Sequence, residues 1–175
     1  MRRIIIIGYM GAGKTTVGKA LARATGLQFY DLDWYIEERM RKTVPQIFAE
    51  RGEDGFRRIE RTMLHEAAEF EDVIISSGGG TPCFFDNMEY MNGQGDTVYL
   101  KACPDVLSAH LRMGKIRRPL LEGKTPEETR RFIAVQLAER EKYYMQARYT
   151  LDVDLLDNYE KIQTSVERLR ELLAL

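Results

Sequence analysis

No apolar run in this sequence approaches the roughly 20 residues that a helix needs to cross a bilayer. The run Ile4–Ile7 is short and leads straight into glycine, so it reads as a buried strand rather than a leader or an anchor. Cysteine is scarce: Cys83 and Cys103 are the only two, and the chain has only two histidines. None of these four residues sits at metal-ligand spacing from another, which excludes a zinc site and a disulfide framework and fits a reducing cytoplasm. An excess of charge is missing as well. Lysine plus arginine number 26 against 27 acids, a net charge of −1, so neither nucleic acid nor an anionic membrane is the expected partner. Repeats and low-complexity segments are absent. What remains is ordinary globular material, 175 residues at 44% hydrophobic and 30% charged, which suits a single domain over 1–175.

Five short β-rich runs stand out: Ile4–Ile7, Gln28–Asp31, Val73–Ser76, Thr97–Leu100 and Thr150–Val153. Helical periodicity fills the stretches between them. Alternation of this kind predicts an α/β fold of three layers, a five-stranded parallel sheet covered by helices on both faces. The nearly continuous apolar runs at Ile4–Ile7 and Val73–Ser76 mark the central strands. Punctuation agrees. Thr125, Pro126 and Glu128 form an N-cap, a first-turn proline and a capping-box acid, Pro104 starts a helix toward Met113, and Gly26 and Gly52 end helices. Two segments do not serve the sheet: a helical insertion after Asp33, and the stretch 113–124. The latter carries Gly114, Lys115, Arg117, Arg118, Pro119, Gly123 and Lys124 and reads as a cover over something negative.

The sharpest motif is Gly8-Tyr9-Met10-Gly11-Ala12-Gly13-Lys14-Thr15, a G-x-x-x-x-G-K-[ST] pattern after a buried strand and before a helix. Glycines let successive N–H groups converge on phosphate, and the following helix points its positive end at the same anion. Lys14 adds a full charge, and the Thr15 hydroxyl is placed for Mg²⁺. No N-K-x-D and no D-x-x-G motif occurs, which favours ATP over GTP.

Other candidates are weaker taken singly. Asp31 and Asp33 close the second predicted strand, where alternation would aim both carboxylates into the ligand crevice. One would serve Mg²⁺ and the other an acceptor hydroxyl, although D-x-D at a strand end is also a common helix cap. Glu53 to Phe70 reads as one amphipathic helix, with Arg57, Glu60 and Arg61 on its polar side. Arg57 overhangs the acceptor, whereas Arg61 reads as a surface ion pair. Three glycines at 78–80 are costly in entropy, about 0.5–1 kcal/mol each against alanine, and suit either a tight turn or backbone touching a ligand. His65 and His110 read as packing or surface residues, and Trp34 and the tyrosines as packing.

Taken together, G-Y-M-G-A-G-K-T-T, D-L-D-W, F-R-R-I-E, S-G-G-G, R-R-P-L-L and R-E-K-Y-Y occur in an order and spacing that resemble shikimate kinases, from Ile4 to about Val153. The resemblance implies a P-loop fold like that of nucleoside monophosphate kinases, with an acceptor-binding insertion at 34–61 and a lid at 113–124. It implies ATP-dependent phosphorylation of the 3-hydroxyl of shikimate by a cytoplasmic monomer. ATP would lie on Gly11, Ala12, Gly13, Lys14, Thr15 and Thr16, with Mg²⁺ near Thr15 and Asp31. Asp33 would hold the reacting hydroxyl. Arg57, Arg140 and the Gly79 N–H, with Gly80 assisting, would hold the carboxylate, and Glu60 would position Arg57. Arg118 would reach the phosphates during transfer, the Pro-Leu-Leu that follows favouring it over Arg117. The segment 154–158, where the family encloses adenine, has no distinctive match, and Arg112 is a candidate to stack there. Another small-molecule kinase, for gluconate or a nucleotide, is the alternative enzyme, and a non-catalytic nucleotide-binding module the alternative class. Paired Arg57 and Arg140 speak for a carboxylate-bearing acceptor; Lys14, Thr15, Asp33 and Arg118 speak for catalysis.

Overall fold

Residues 3–7 form β1 (Arg3–Ile7), whose four isoleucines are fully buried. A strand apolar on both sides cannot face water, so it takes the middle of the sheet. Its neighbours are β3 (Val73–Ser76) and β4 (Asp96–Lys101), with Ile5 opposite Ile75 on one side and Thr97 on the other. The half-exposed strands β2 (Gln28–Asp31) and β5 (Tyr149–Asp152) take the edges, giving a parallel order β2-β3-β1-β4-β5. A computed structural model describes residues 1–114 and 118–175 of this chain.

Among the described residues the crossovers carry α1 (Lys14–Thr25), α2 (Leu32–Met40), α3 (Val44–Ala67), α4 (Asn87–Gln94), α5 (Pro104–Met113) and α6 (Pro126–Tyr144), and α7 (Tyr159–Leu173) follows the last strand. They pack pairwise, α1 on α7, α2 on α3 and α5 on α6, and one hydrophobic core runs through strands and helices alike. Gly26 caps α1 in the left-handed region, as its position foretells. Thr125 and Glu128 complete the expected capping box of α6. Gly52, at φ 67, breaks α3 into two limbs, and the second limb ends at Ala67 rather than Phe70. The fifth strand begins one residue earlier than its apolar run suggests, yet Val153 still donates to the Lys101 carbonyl at 2.7 Å. Among the described residues, no helix is long and apolar enough to cross a membrane.

One sequence expectation is corrected. Asp33 does not lie in the second strand, because β2 ends at Asp31 and Leu32 already opens α2. The Asp31 carboxylate causes the switch: its Oδ1 accepts the N–H groups of Asp33 and Trp34, capping the helix.

Candidate active site

The carboxyl ends of β1, β2 and β3 open into a cavity of about 360 Å³. Where β1 stops, the loop Gly8–Gly13 turns back on itself. Gly11 at φ 83 and Gly13 at φ 96 adopt left-handed backbone, which a side chain would resist. Helices α2, α3, α6 and α7 each have a side-chain cap; α1 has neither a cap nor an acid in its first turn. Its N–H groups and positive end are left for an anion. Lys14 stands there almost wholly buried, its Nζ donating to the Gly8 and Tyr9 carbonyls at 2.8 and 3.0 Å. Burial pulls its pKa down to about 8, against the opposing pull of Asp33 and Asp31. Gly11, Gly13, Lys14, Thr15 and Thr16 line the cavity. Ala12 does not: it is buried, and its N–H is turned inward to the Tyr9 carbonyl at 3.1 Å.

Next to the loop, the Thr15 hydroxyl donates to Asp31 Oδ2 at 3.0 Å. A hydroxyl and a carboxylate side by side in the cavity wall are hard oxygen donors of the kind that Mg²⁺ takes together with water and phosphate oxygens. No cluster of three or more His, Cys, Asp or Glu ligands exists among the described residues. Asp33 also reaches the cavity, from the first turn of α2. Its pKa is pushed up to about 6, first by burial and then by the charges of Asp31 and Glu60. Arg118 lines the same space. Of the segment 113–124, Lys115, Ile116 and Arg117 lie outside the described residues.

The three glycines after β3 explain themselves by what stands behind them. A Cβ on Gly78 would lie 3.1 Å from Asp33 Oδ1 and 3.3 Å from Glu60 Oε2; one on Gly79, 3.5 Å from Arg140 Nη1; one on Gly80, 2.5 Å from Arg57 Nη2. Backbone thus approaches four charged side chains at once. Gly79 lines the cavity, whereas Arg57 and Arg140 stand beyond it. Arg57 is buried, with Nη1 on Glu60 at 3.0 Å and its guanidinium 4.1 Å from the Phe84 ring. Glu60, 1% exposed, also accepts the Thr81 hydroxyl at 2.8 Å; burial raises its pKa and Arg57 opposes the rise. Arg57 Nε is buried and finds no partner among the described residues. Arg140 lies 5.8 Å from the Tyr9 ring, and the Tyr144 hydroxyl, one turn further along α6, donates to the Gly79 carbonyl at 2.6 Å.

Several residues carry more than their sequence signal. Thr81 and Phe84 fix Arg57, yet neither belongs to a motif. Tyr9 and Tyr144 are buried as packing residues should be, but Trp34 is 47% exposed beneath the Lys19 ammonium. His65 does pack, stacked on Tyr90 at 3.7 Å. His110 is more than packing: it lines the cavity and bonds both Gly11 and Leu156. Arg61 is the surface ion pair it resembles, with Asp86 at 2.9 Å. Arg112 is exposed and does not line the cavity.

The sequence model of the shikimate kinase family matches residues 10–170. A shikimate kinase from Phocaeicola vulgatus is 59% identical over 173 residues, 99% of this chain and 99% of its own. The crystal structure of shikimate kinase from Bacteroides thetaiotaomicron superposes with a TM-score of 0.97 at 56% identity, covering 99% of each chain. That of the Acinetobacter baumannii shikimate kinase in complex with shikimate gives 0.84 at 32% identity, covering 99% of this chain and 94% of the other.

Proposed function

The chain belongs to the shikimate kinase family, and from that premise we propose that it transfers the γ-phosphoryl group of ATP to the 3-hydroxyl of shikimate. The products are shikimate 3-phosphate and ADP. The observation that carries this reading is one cavity lined by the phosphate loop together with Asp33 and Gly79, with two arginines standing behind the glycine turn.

Gly11, Gly13, Lys14, Thr15 and Thr16 cradle the phosphates, and Lys14 supplies a charge where negative charge gathers. Thr15 and Asp31 would hold Mg²⁺, which would supply positive charge to neutralise the phosphates. Asp33 accepts the hydrogen bond of the 3-hydroxyl. As the oxygen bonds to the γ-phosphorus and the bond to the β-γ bridging oxygen breaks, the hydroxyl proton passes to the Asp33 carboxylate and ADP leaves. Its raised pKa suits a base working near neutral pH. Arg57 and Arg140, with the Gly79 N–H, grip the carboxylate far from the reacting oxygen, since paired guanidinium donors match that group. Arg118 approaches the phosphates from the covering segment 113–124, and the insertion 34–61 forms the acceptor side. We further place the activity in a cytoplasmic monomer, where the free thiols of Cys83 and Cys103 are at home.

ADP release measured across shikimate, gluconate and nucleoside monophosphates tests the reading. Turnover should require shikimate. Equal rates with gluconate, itself a carboxylate, would mean that the site does not select shikimate.

A further inference from the structure

His110 lies in the last turn of α5 and bonds two backbone groups remote from it in the chain. Its Nε2 accepts the Leu156 N–H at 2.8 Å, so that nitrogen carries no proton. Its Nδ1 lies 2.6 Å from the Gly11 carbonyl oxygen, which has no hydrogen to give, so Nδ1 bears the proton. Only the neutral Nδ1–H tautomer meets both partners. Those partners belong to two segments that meet at the cavity. Gly11 is part of the phosphate loop. Leu156 follows β5, and its side chain lies so close to Gly13 that a Cβ there would come within 2.5 Å of Leu156 Cδ1. Gly11, Gly13, Leu156 and His110 line one cavity.

We propose that His110 is a positioning residue for the nucleotide: its imidazole, as the Nδ1–H tautomer, ties the phosphate loop to the segment 154–158 and fixes the cleft that receives ATP. This rests on reading the cavity as the ATP site. The ring acts through Gly11 and Leu156, not on the reacting atoms beside Asp33. Its influence therefore belongs in nucleotide affinity, while shikimate binding and the chemical step stay close to the parent. A ring that merely filled space would be replaceable by another of similar size. Phenylalanine fills the space and makes neither bond. Asparagine sets an amide near the Nδ1 position and glutamine one near the Nε2 position, so each preserves one end of the tie.

Two measurements test this. In ¹⁵N-labelled parent protein, the His110 imidazole should show an unprotonated Nε2 and a protonated Nδ1. In titrations with ADP and in steady-state rates, His110→Phe should raise the nucleotide Kd and the ATP KM at least about fivefold, the order expected when two hydrogen bonds are lost. Shikimate KM and kcat should stay within about twofold, and His110→Asn or His110→Gln should recover part of the nucleotide loss. A protonated Nε2, a nucleotide Kd changed less than about fivefold by phenylalanine, or no recovery in either amide variant would overturn the proposal. If the phenylalanine variant fails to fold, the tautomer and the two amide variants decide. A parent inactive on shikimate would instead refute the assigned reaction, and the ADP titrations would still judge His110.

Discussion

Lys14 and Asp33 share one cavity, and burial drives their pKa values toward each other, Lys14 down to about 8 and Asp33 up to about 6. Burial disfavours whichever form is charged, so the base loses its proton more readily and the acid keeps it longer. The proposed reaction needs both charged, Lys14 as ammonium and Asp33 as carboxylate. Activity therefore exists above the pKa of Asp33 and fades as pH falls through about 6. It also exists below the pKa of Lys14, and kcat/KM for ATP should fade as pH rises through about 8. Bound ATP favours the ammonium, so in kcat the alkaline limb moves to higher pH while the acid limb stays nearer its place. Asp33→Asn keeps the shape but cannot take a proton. It should depress kcat more than shikimate affinity and abolish the acid limb. Rate profiles of parent and variant over pH check this, and an acid limb near 6 surviving in the variant would assign it to another group.

At the scale of elements, the turn after β3 offers a clean separation of space from strain. Gly80 sits at φ −90 and ψ −16, a conformation that alanine adopts freely. An added methyl, however, would meet Arg57 Nη2 at 2.5 Å and Nη1 at 2.8 Å. Arg57 has little room to yield, held by Glu60 and covered by Phe84. Gly80→Ala should cost stability about 1–3 kcal/mol, through crowding of Arg57 rather than backbone strain. Shikimate KM should rise about tenfold or more as a charge-assisted contact is displaced, with ATP KM little changed. Steady-state kinetics beside thermal melts check it; an unaltered shikimate KM would remove Arg57 from the acceptor site.

The same elements separate what the sequence reveals from what it hides. The strands at Ile4–Ile7 and Val73–Ser76 were legible because burial on both faces writes itself as a continuous apolar run. The α6 cap was legible because Thr125 and Glu128 bond within one turn. Asp31-Leu32-Asp33 was misread because alternation in a strand and a cap at a helix start demand the same residues; the handover at Leu32 is set by the Asp31 carboxylate. Thr81 and His110 escaped for another reason. Thr81 meets Glu60 across 21 positions, and His110 meets Leu156 and Gly11 across 46 and 99. No local pattern encodes partners so distant, and only the closed fold brings them together.

At the scale of the whole molecule, the cavity draws its walls from the loop after β1, from the ends of β2 and β3, from the start of α1 and α2, and from α5 with the segment after β5. A ligand seated there binds only when all of these are in place, so binding energy becomes folding energy. With ADP or shikimate at about a hundred times its Kd, the gain is about 2.7 kcal/mol for each. For a chain of this length that corresponds to a Tm rise of roughly 5–10 °C. ADP and shikimate together should raise Tm at least as far as the sum of their separate shifts if each ligand orders surface that the other uses. For a monomer the melt is unimolecular, so none of these shifts should depend on protein concentration. Scanning calorimetry over a hundredfold range of concentration, with each ligand and with both, tests the two claims at once. A Tm that climbs with concentration would mean that subunits associate in the folded state. A shikimate shift of zero, with ADP still stabilising, would leave the nucleotide end intact and remove the acceptor from this cavity.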